Sequence, residues 1–188
     1  MGPRPAERLL EQFLPAHQFS ERHTLQMPAA PHQVMACIEA VLREPDPLVS
    51  RLIALREAPA RLWQRMGGQG RLPARPFGLD DFTLLERRGH EELVFGLAGQ
   101  FWRADYGLTP VADAQAFHAL QDVPRLALHF GATPVGTGTL LSTSTRVHCP
   151  DAVSLRRFTP YWYLIRPVSG FIRRRLLQRV ARAVALAG

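Results

Sequence analysis

Arg173 stands where an arginine needs a reason to be. On a helical wheel from Gly170 to Leu186, the side chains of Ile172, Leu176, Leu177, Val180, Ala183 and Val184 form one apolar arc. Arg175, Arg179 and Arg182 lie opposite, where water would solvate them, and Arg174 sits at the flank. Arg173 falls inside the arc, between Val180 and Leu177. An unpaired buried charge costs several kcal/mol, so its guanidinium needs a partner or a route to water. Three arrangements satisfy it: an anchor for the acidic head of a ligand, an inward ion pair with Glu21 or Glu86, or a side chain that snorkels to solvent.

Other residues offer it company. From His17 to Met27 the chain alternates, with Phe19, Leu25 and Met27 on one face together with Glu21 and His23. Polar groups on such a face are satisfied either by neighbours, here Arg22, Arg173 or backbone, or by a ligand. Thr143 and Thr145 share a strand face with Leu141 and Val147, a mixed lining able to hydrogen-bond a ligand, although threonine is also a good strand former. Trp102, Tyr161 and Trp162 either line a pocket or fill the core as an aromatic cluster. For catalysis, His23 or His129 would be the general base and Arg173 would stabilise an anion. No nucleophile–base pair is legible.

Composition removes several classes of chemistry. All 23 basic residues are arginine, and without lysine neither a P-loop nor a Schiff-base mechanism can be built. There is no HExxH and no GxSxG, and the glycines at 67–70 and 136–138 do not complete a GxGxxG phosphate fingerprint. His17 and His23 on one strand would lie about 20 Å apart, too far to share a metal, so neither a metal site nor a cofactor is expected. Cys37 and Cys149 form no CxxC, which suits a reducing compartment. Glu7 and Glu11 stand where a signal peptide would be apolar, so a cytoplasmic protein is expected.

The elements that must position these residues follow from periodicity and punctuation. A single domain over 1–188 suits the length, with a helical extension at 1–16 and a helical C-terminal segment at 151–188. Strands are predicted at 17–27, 82–88, 92–103, 123–134 and 139–148, and should make one antiparallel sheet. Two or three short helices follow the first strand: one from Pro31 to Pro45, one starting at Asp46-Pro47, and apolar positions Leu62, Trp63 and Met66 beyond Pro59. Residues 67–80 read as a loop, and Asp113 to Leu120 as a short helix. The terminal helix is expected to break near Pro160 and again between Pro167 and Gly170. Gly96 and Gly99 mark either a bend in their strand or room for a bound molecule.

Four stretches carry a resemblance. Phe19–Val41 (FSERHTLQMPAAPHQVMACIEAV), Leu52–Leu62 (LIALREAPARL), Glu92–Arg103 (ELVFGLAGQFWR) and Leu140–Arg174 keep their order across most of the chain. Together they resemble a small bacterial branch of the SRPBCC, or START-like, helix-grip superfamily. Ser144 departs from that branch, where an acidic residue is common, and so does Val168, where a glycine often precedes the Ser-Gly pair. The resemblance implies an α+β fold: a curved antiparallel sheet wrapped around a long C-terminal helix, with a largely apolar cavity between them.

The expected function is binding of a small apolar or amphipathic ligand, lipid- or polyketide-like, with Glu21, His23, Glu86, Trp102, Thr143, Thr145, Tyr161, Trp162 and Arg173 as its contacts. The alternatives are a cyclase- or hydratase-type enzyme working on a similar molecule, or an anionic membrane or nucleic-acid surface bound through the C-terminal segment. That segment, 151–188, carries eight arginines and one acid, whereas 1–150 is balanced at 15 of each. Nucleic acid is the less expected partner, for want of a recognisable motif. Integral membrane association is not expected, while peripheral contact stays open.

Overall fold

The computed structural model describes residues 7–44, 46–54 and 77–187. Its elements are α1 (Arg8–Phe13), β1 (Phe19–Met27), α2 (Pro31–Arg43), a helical segment α3 (47–54), a 3-10 turn (Leu79–Asp81), β2 (Thr83–Arg88), β3 (Glu92–Gly99), β4 (Leu108–Thr109), α4 (Ala114–Ala119), β5 (Arg125–Val135), β6 (Gly138–His148) and α5 (Ala152–Ala187). The predicted strands all fall in one antiparallel sheet in the order β1-β6-β5-β3-β2, with the two-residue β4 added to the end of β3. The apolar positions at 62–66 and most of the loop at 67–80 lie outside the described residues.

Helix starts follow their punctuation. Pro31 opens α2, with the Gln33 side chain accepting the Ala30 N–H. Asp46 accepts from Leu48 N–H, Asp113 from Ala116 N–H, and Asp151 from the N–H groups of Val153 and Ser154.

Two expectations are corrected. Strand β3 ends at Gly99 rather than Arg103, because two hydrogen-bonded turns follow: Arg103 N–H donates to Gln100 O and Tyr106 N–H to Arg103 O. These turns return the chain so that Leu108 and Thr109 pair with Gly99 and Ala98. The C-terminal helix, expected in pieces, is continuous for 36 residues. Pro160 and Pro167 both point to solvent, so each removes a single backbone hydrogen bond on the wet side, where water replaces it.

Strand alternation sorts the side chains onto two faces. Leu25, Met27, Leu93, Leu128, Phe130 and Leu141 meet α2 and the second half of α5, at Leu177 and Val180, in one apolar cluster. Farther along the same face, Phe19, Leu97 and Val147 meet Phe158 and Trp162 from the first half of α5. On the opposite face, Val94, Leu85 and Ala127 pack against Leu9, Leu10 and Phe13 of α1 and against Phe117 of α4. The N-terminal helix is thus part of the domain's packing, not an appendage. Gly96 belongs to this face too: a Cβ there would sit 2.7 Å from the Phe117 ring. Its missing side chain makes room for α4, and neither a bend nor a ligand is needed to explain it.

Candidate functional site

Between the two apolar clusters beneath α5 lies a polar belt. Alternation on β1 turns Glu21 and His23 toward the helix, and the ladder sets Glu21 opposite Thr145 and His23 opposite Thr143. His23 Nε2 lies 2.8 Å from Glu21 Oε1. From α5, Arg173 reaches down to this row: its NH1 donates to Thr143 Oγ1 at 2.9 Å, and its Nε lies 3.4 Å from Ser169 Oγ, one helical turn earlier. Burial beneath the helix pushes the guanidinium down to about 10, against the pull of the nearby Glu21 charge, so at neutral pH it remains a cation.

Arg173 therefore takes the inward position required by the wheel, but its closest acceptor is a threonine hydroxyl instead of a carboxylate. Two buried oxygens in the belt, Glu21 Oε2 and Thr145 Oγ1, have no hydrogen-bond partner. Such atoms are uncommon in folded proteins and costly. The helix can approach this closely because residue 170 is glycine: a Cβ there would lie 2.8 Å from Glu21 Oε1 and 3.4 Å from His23 Nε2.

The belt borders apolar surface on the strand side. Leu128 pairs with Thr145, and Phe95 pairs with Leu128 in the next strand. Phe82, Phe95 and Leu126 are only partly buried, and Leu84, opposite Phe95, is 50% exposed. Two clefts, of about 200 and 260 Å³, lie elsewhere: one by Met27 and Gly138, the other between the end of α1 and Arg125.

The remaining sequence candidates divide. Tyr161 and Trp162 join Phe19 and Phe158 in an aromatic cluster, with ring centroids of Tyr161 and Trp162 at 5.6 and 6.0 Å from Phe158. Trp102, carried by the turn after β3 and not by a strand, reaches the same ring at 6.4 Å. Trp162 is buried in the core beside the belt, and Tyr161 and Trp102, partly buried, pack against it. Glu86 is not brought to Arg173 at all. It pairs with Val94 on the face under α1, where its carboxylate accepts from Gln12 Nε2 at 2.8 Å. The β-bulge between Leu84 and Glu86 shifts the strand's facing there, a feature that alternation alone does not reveal.

His129 is on that opposite face as well. It is fully buried with Glu92, at 3.0 Å, and α1 lies over both, with Leu9 N–H donating to the same Glu92 oxygen at 2.9 Å. It cannot serve as a base for anything bound beneath α5. Burial pushes the Glu92 carboxyl up, but the hydrogen bonds from His129 and Leu9 N–H, with the charges of His129 and Arg88, outweigh it and hold the group below the ordinary range. Ser144, too, faces α1, donating to Glu7 at 2.5 Å.

Arg175 and Arg179, expected to be solvated, are held by Asp46: Arg175 Nε lies 2.7 Å and Arg179 NH1 3.6 Å from Oδ2. The arginine side of the helix is thereby tied to the start of α3.

A continuous antiparallel sheet that carries one long C-terminal helix on its inner face, with α2 and α3 inserted after the first strand, leaves one reading of the architecture. The fold is a helix grip. No family model and no curated protein matches the sequence. Among solved structures, this helix grip is similar to a protein from Rhizobium loti, at 14% identity over 88% of this chain and 96% of that one, with a TM-score of 0.40. It is similar also to a protein of the dynemicin biosynthetic locus, at 13% identity, covering 88% of this chain and 47% of the other, with a TM-score of 0.35. The chain thus spans about half the length of that second protein. An AHSA1-like protein from Rhizobium etli shares 17% identity over 89% of this chain and 82% of its own, with a TM-score of 0.35.

Ser169 and Gly170 were missed as site residues from sequence. A glycine amid bulky helical neighbours, three residues before an inward arginine, was the available signal.

Proposed function

We propose that the protein binds a small amphipathic molecule beneath α5. The polar head would lie among Glu21, Thr145 and Arg173, and the carbon skeleton along Leu128, Phe95, Leu126 and Phe82. The observation that carries this reading is the pair of buried oxygens without partners, Glu21 Oε2 and Thr145 Oγ1, beside a cation hydrogen-bonded to neutral hydroxyls. A ligand group that both donates and accepts completes this set: it gives a hydrogen bond to Glu21 and takes one from Arg173. A hydroxyl or a hydroxy-carbonyl group fits better than a bare carboxylate, which would meet Arg173 but also the charge of Glu21.

Displacement of a fluorescent fatty-acid probe by hydroxylated long-chain and aromatic polyketide-like compounds tests the reading, with native mass spectrometry to detect any retained molecule. One saturable site is expected, with hydroxylated compounds displacing the probe better than their deoxy analogues. If no apolar compound displaces the probe or raises the melting temperature, the reading is wrong.

The Glu21–His23 hydrogen bond favours one second reading. A histidine oriented by a carboxylate next to a buried cation is also a general base beside an anion stabiliser. Conversion of a bound hydroxy-carbonyl compound, abolished by His23→Gln while binding persists, would mark the site as catalytic.

A further inference from the structure

The outward face of α5 is not the plain charged surface that a solvated helix presents. Val153, Leu164, Val168 and Phe171 are 48%, 76%, 43% and 45% exposed, and they fall within about 60° of one another on the wheel at 100° per residue. Pro160 and Pro167 occupy the same stripe and are also exposed. At 1.5 Å per residue the stripe runs for about 27 Å. Isolated exposed apolar side chains are ordinary, but a continuous line of them marks a contact surface.

Charge says what kind. Arg156 and Arg174 flank the stripe on one side and Arg157 stands within it, between the lines of Leu164 and Val168, all exposed, and Arg182 continues its line toward the exposed Leu186. Among the described residues no carboxylate forms an ion pair with Arg156, Arg174 or Arg182, whereas Arg175 and Arg179 are engaged by Asp46 and Glu44. The segment's one acid, Asp151, is spent capping the helix. A second copy of this chain would bring the same arginines against themselves, which disfavours self-association through this face. Nucleic acid would meet the arginines but leave Leu164 and Phe171 facing phosphates. An anionic lipid surface satisfies both components, since headgroups neutralise the arginines and the apolar stripe enters the acyl boundary. The two prolines agree with this depth. They free the carbonyls of Arg156 and Tyr163, which hydrated headgroups can satisfy and a dry apolar interface cannot.

We propose that α5 lies along anionic membrane surfaces through the stripe Val153, Leu164, Val168 and Phe171 and its flanking arginines. No helix among the described residues is long and apolar enough to cross a membrane, so the contact is peripheral. It uses the face of α5 opposite the polar belt, and it stands whether or not a ligand binds there.

Co-sedimentation of the full chain with vesicles tests it. Binding is expected to vesicles containing about one-third phosphatidylglycerol in phosphatidylcholine, weakening with salt and falling sharply on phosphatidylcholine alone. Leu164→Asp with Phe171→Asp should lower the partition coefficient by about tenfold or more, and Arg156→Glu or Arg174→Glu by about fivefold each. All four side chains are exposed, so melting temperatures should stay at the wild-type value. Equal binding of wild type and the double aspartate variant would overturn the proposal, as would equal binding to neutral and anionic vesicles. So would self-association that the same aspartates abolish, or tighter binding to a nucleic-acid duplex than to anionic vesicles.

Discussion

Each face of the sheet holds a glutamate hydrogen-bonded to a histidine: Glu21 with His23 at 2.8 Å on the inner face, and Glu92 with His129 at 3.0 Å on the outer. The chemistry of the two pairs is alike, and their coverings are not. The short helix α1 closes over Glu92 and adds a backbone N–H donor, and Arg88 stands 3.7 Å away; neither side chain of the pair is exposed, and Glu92 Oε1 and His129 Nδ1 have no hydrogen-bond partner. The long helix α5 crosses Glu21 at a glycine, adds no hydrogen bond to it, and leaves one carboxylate oxygen bare beside partly exposed apolar residues. Both pairs are thus incomplete; what separates them is that the outer one is sealed and shares a backbone donor, whereas the inner one lies at the margin of a partly exposed apolar strip. On the proposed reading, the same residue types take structural or binding roles according to what the helices bring to them.

The sharpest way to break that contrast is to remove each glutamate in turn. Glu92→Ala strands Leu9 N–H, His129 and Arg88 together and should cost about 3–5 kcal/mol in urea unfolding, whereas Glu21→Ala should cost less than about 1 kcal/mol. Similar losses at the two sites would mean that both pairs are structural. Acid titration sharpens the point. Because the Glu92 carboxyl titrates below its unfolded value of 4.5, its stabilisation is complete at neutral pH and is lost as the pH falls through that value and on through the folded one. Glu92→Gln should flatten this acid limb.

Arg173→Met separates stability from binding on the inner face. Lost hydrogen bonds to Thr143 and Ser169 are offset by relief of desolvation, so unfolding should change by about 1–2 kcal/mol, while hydroxylated ligands weaken by about tenfold. A ligand affinity unchanged in this variant would remove Arg173 from the site. At Asp46, hydrogen bonding from Arg175 outweighs burial and holds the carboxyl below its ordinary range. Asp46→Asn should cost about 1 kcal/mol in thermal unfolding, since Arg175 is 40% exposed and partly screened. The smallest effect is expected at Gly170→Ala. Improved helix propensity, worth about 1 kcal/mol, offsets the displacement of a flexible Glu21 carboxylate, so stability should stay nearly constant while probe binding falls.

Periodicity alone was enough to locate the strands, though not the end of β3, because a residue's facing on a strand is set by parity: Glu21, His23, Thr143 and Thr145 share a face wherever the ladder forms. It was enough for the inward turn of Arg173 as well, since a helix wheel needs only the rise and pitch of the backbone. Asp46 and Asp113 announced their helices through the N–H groups that a helix start leaves bare. Tertiary structure decided the rest. Whether Pro160 and Pro167 break a helix depends on which side faces water, and both face it. The facing of Glu86 depends on a bulge, and the use of His129 depends on α1, which shares no local pattern with β5. Arg173 met Thr143 in place of a carboxylate because the crossing of α5 over β1 is set by Gly170, and the distance between a guanidinium and its acceptor is a property of that packing, not of either segment.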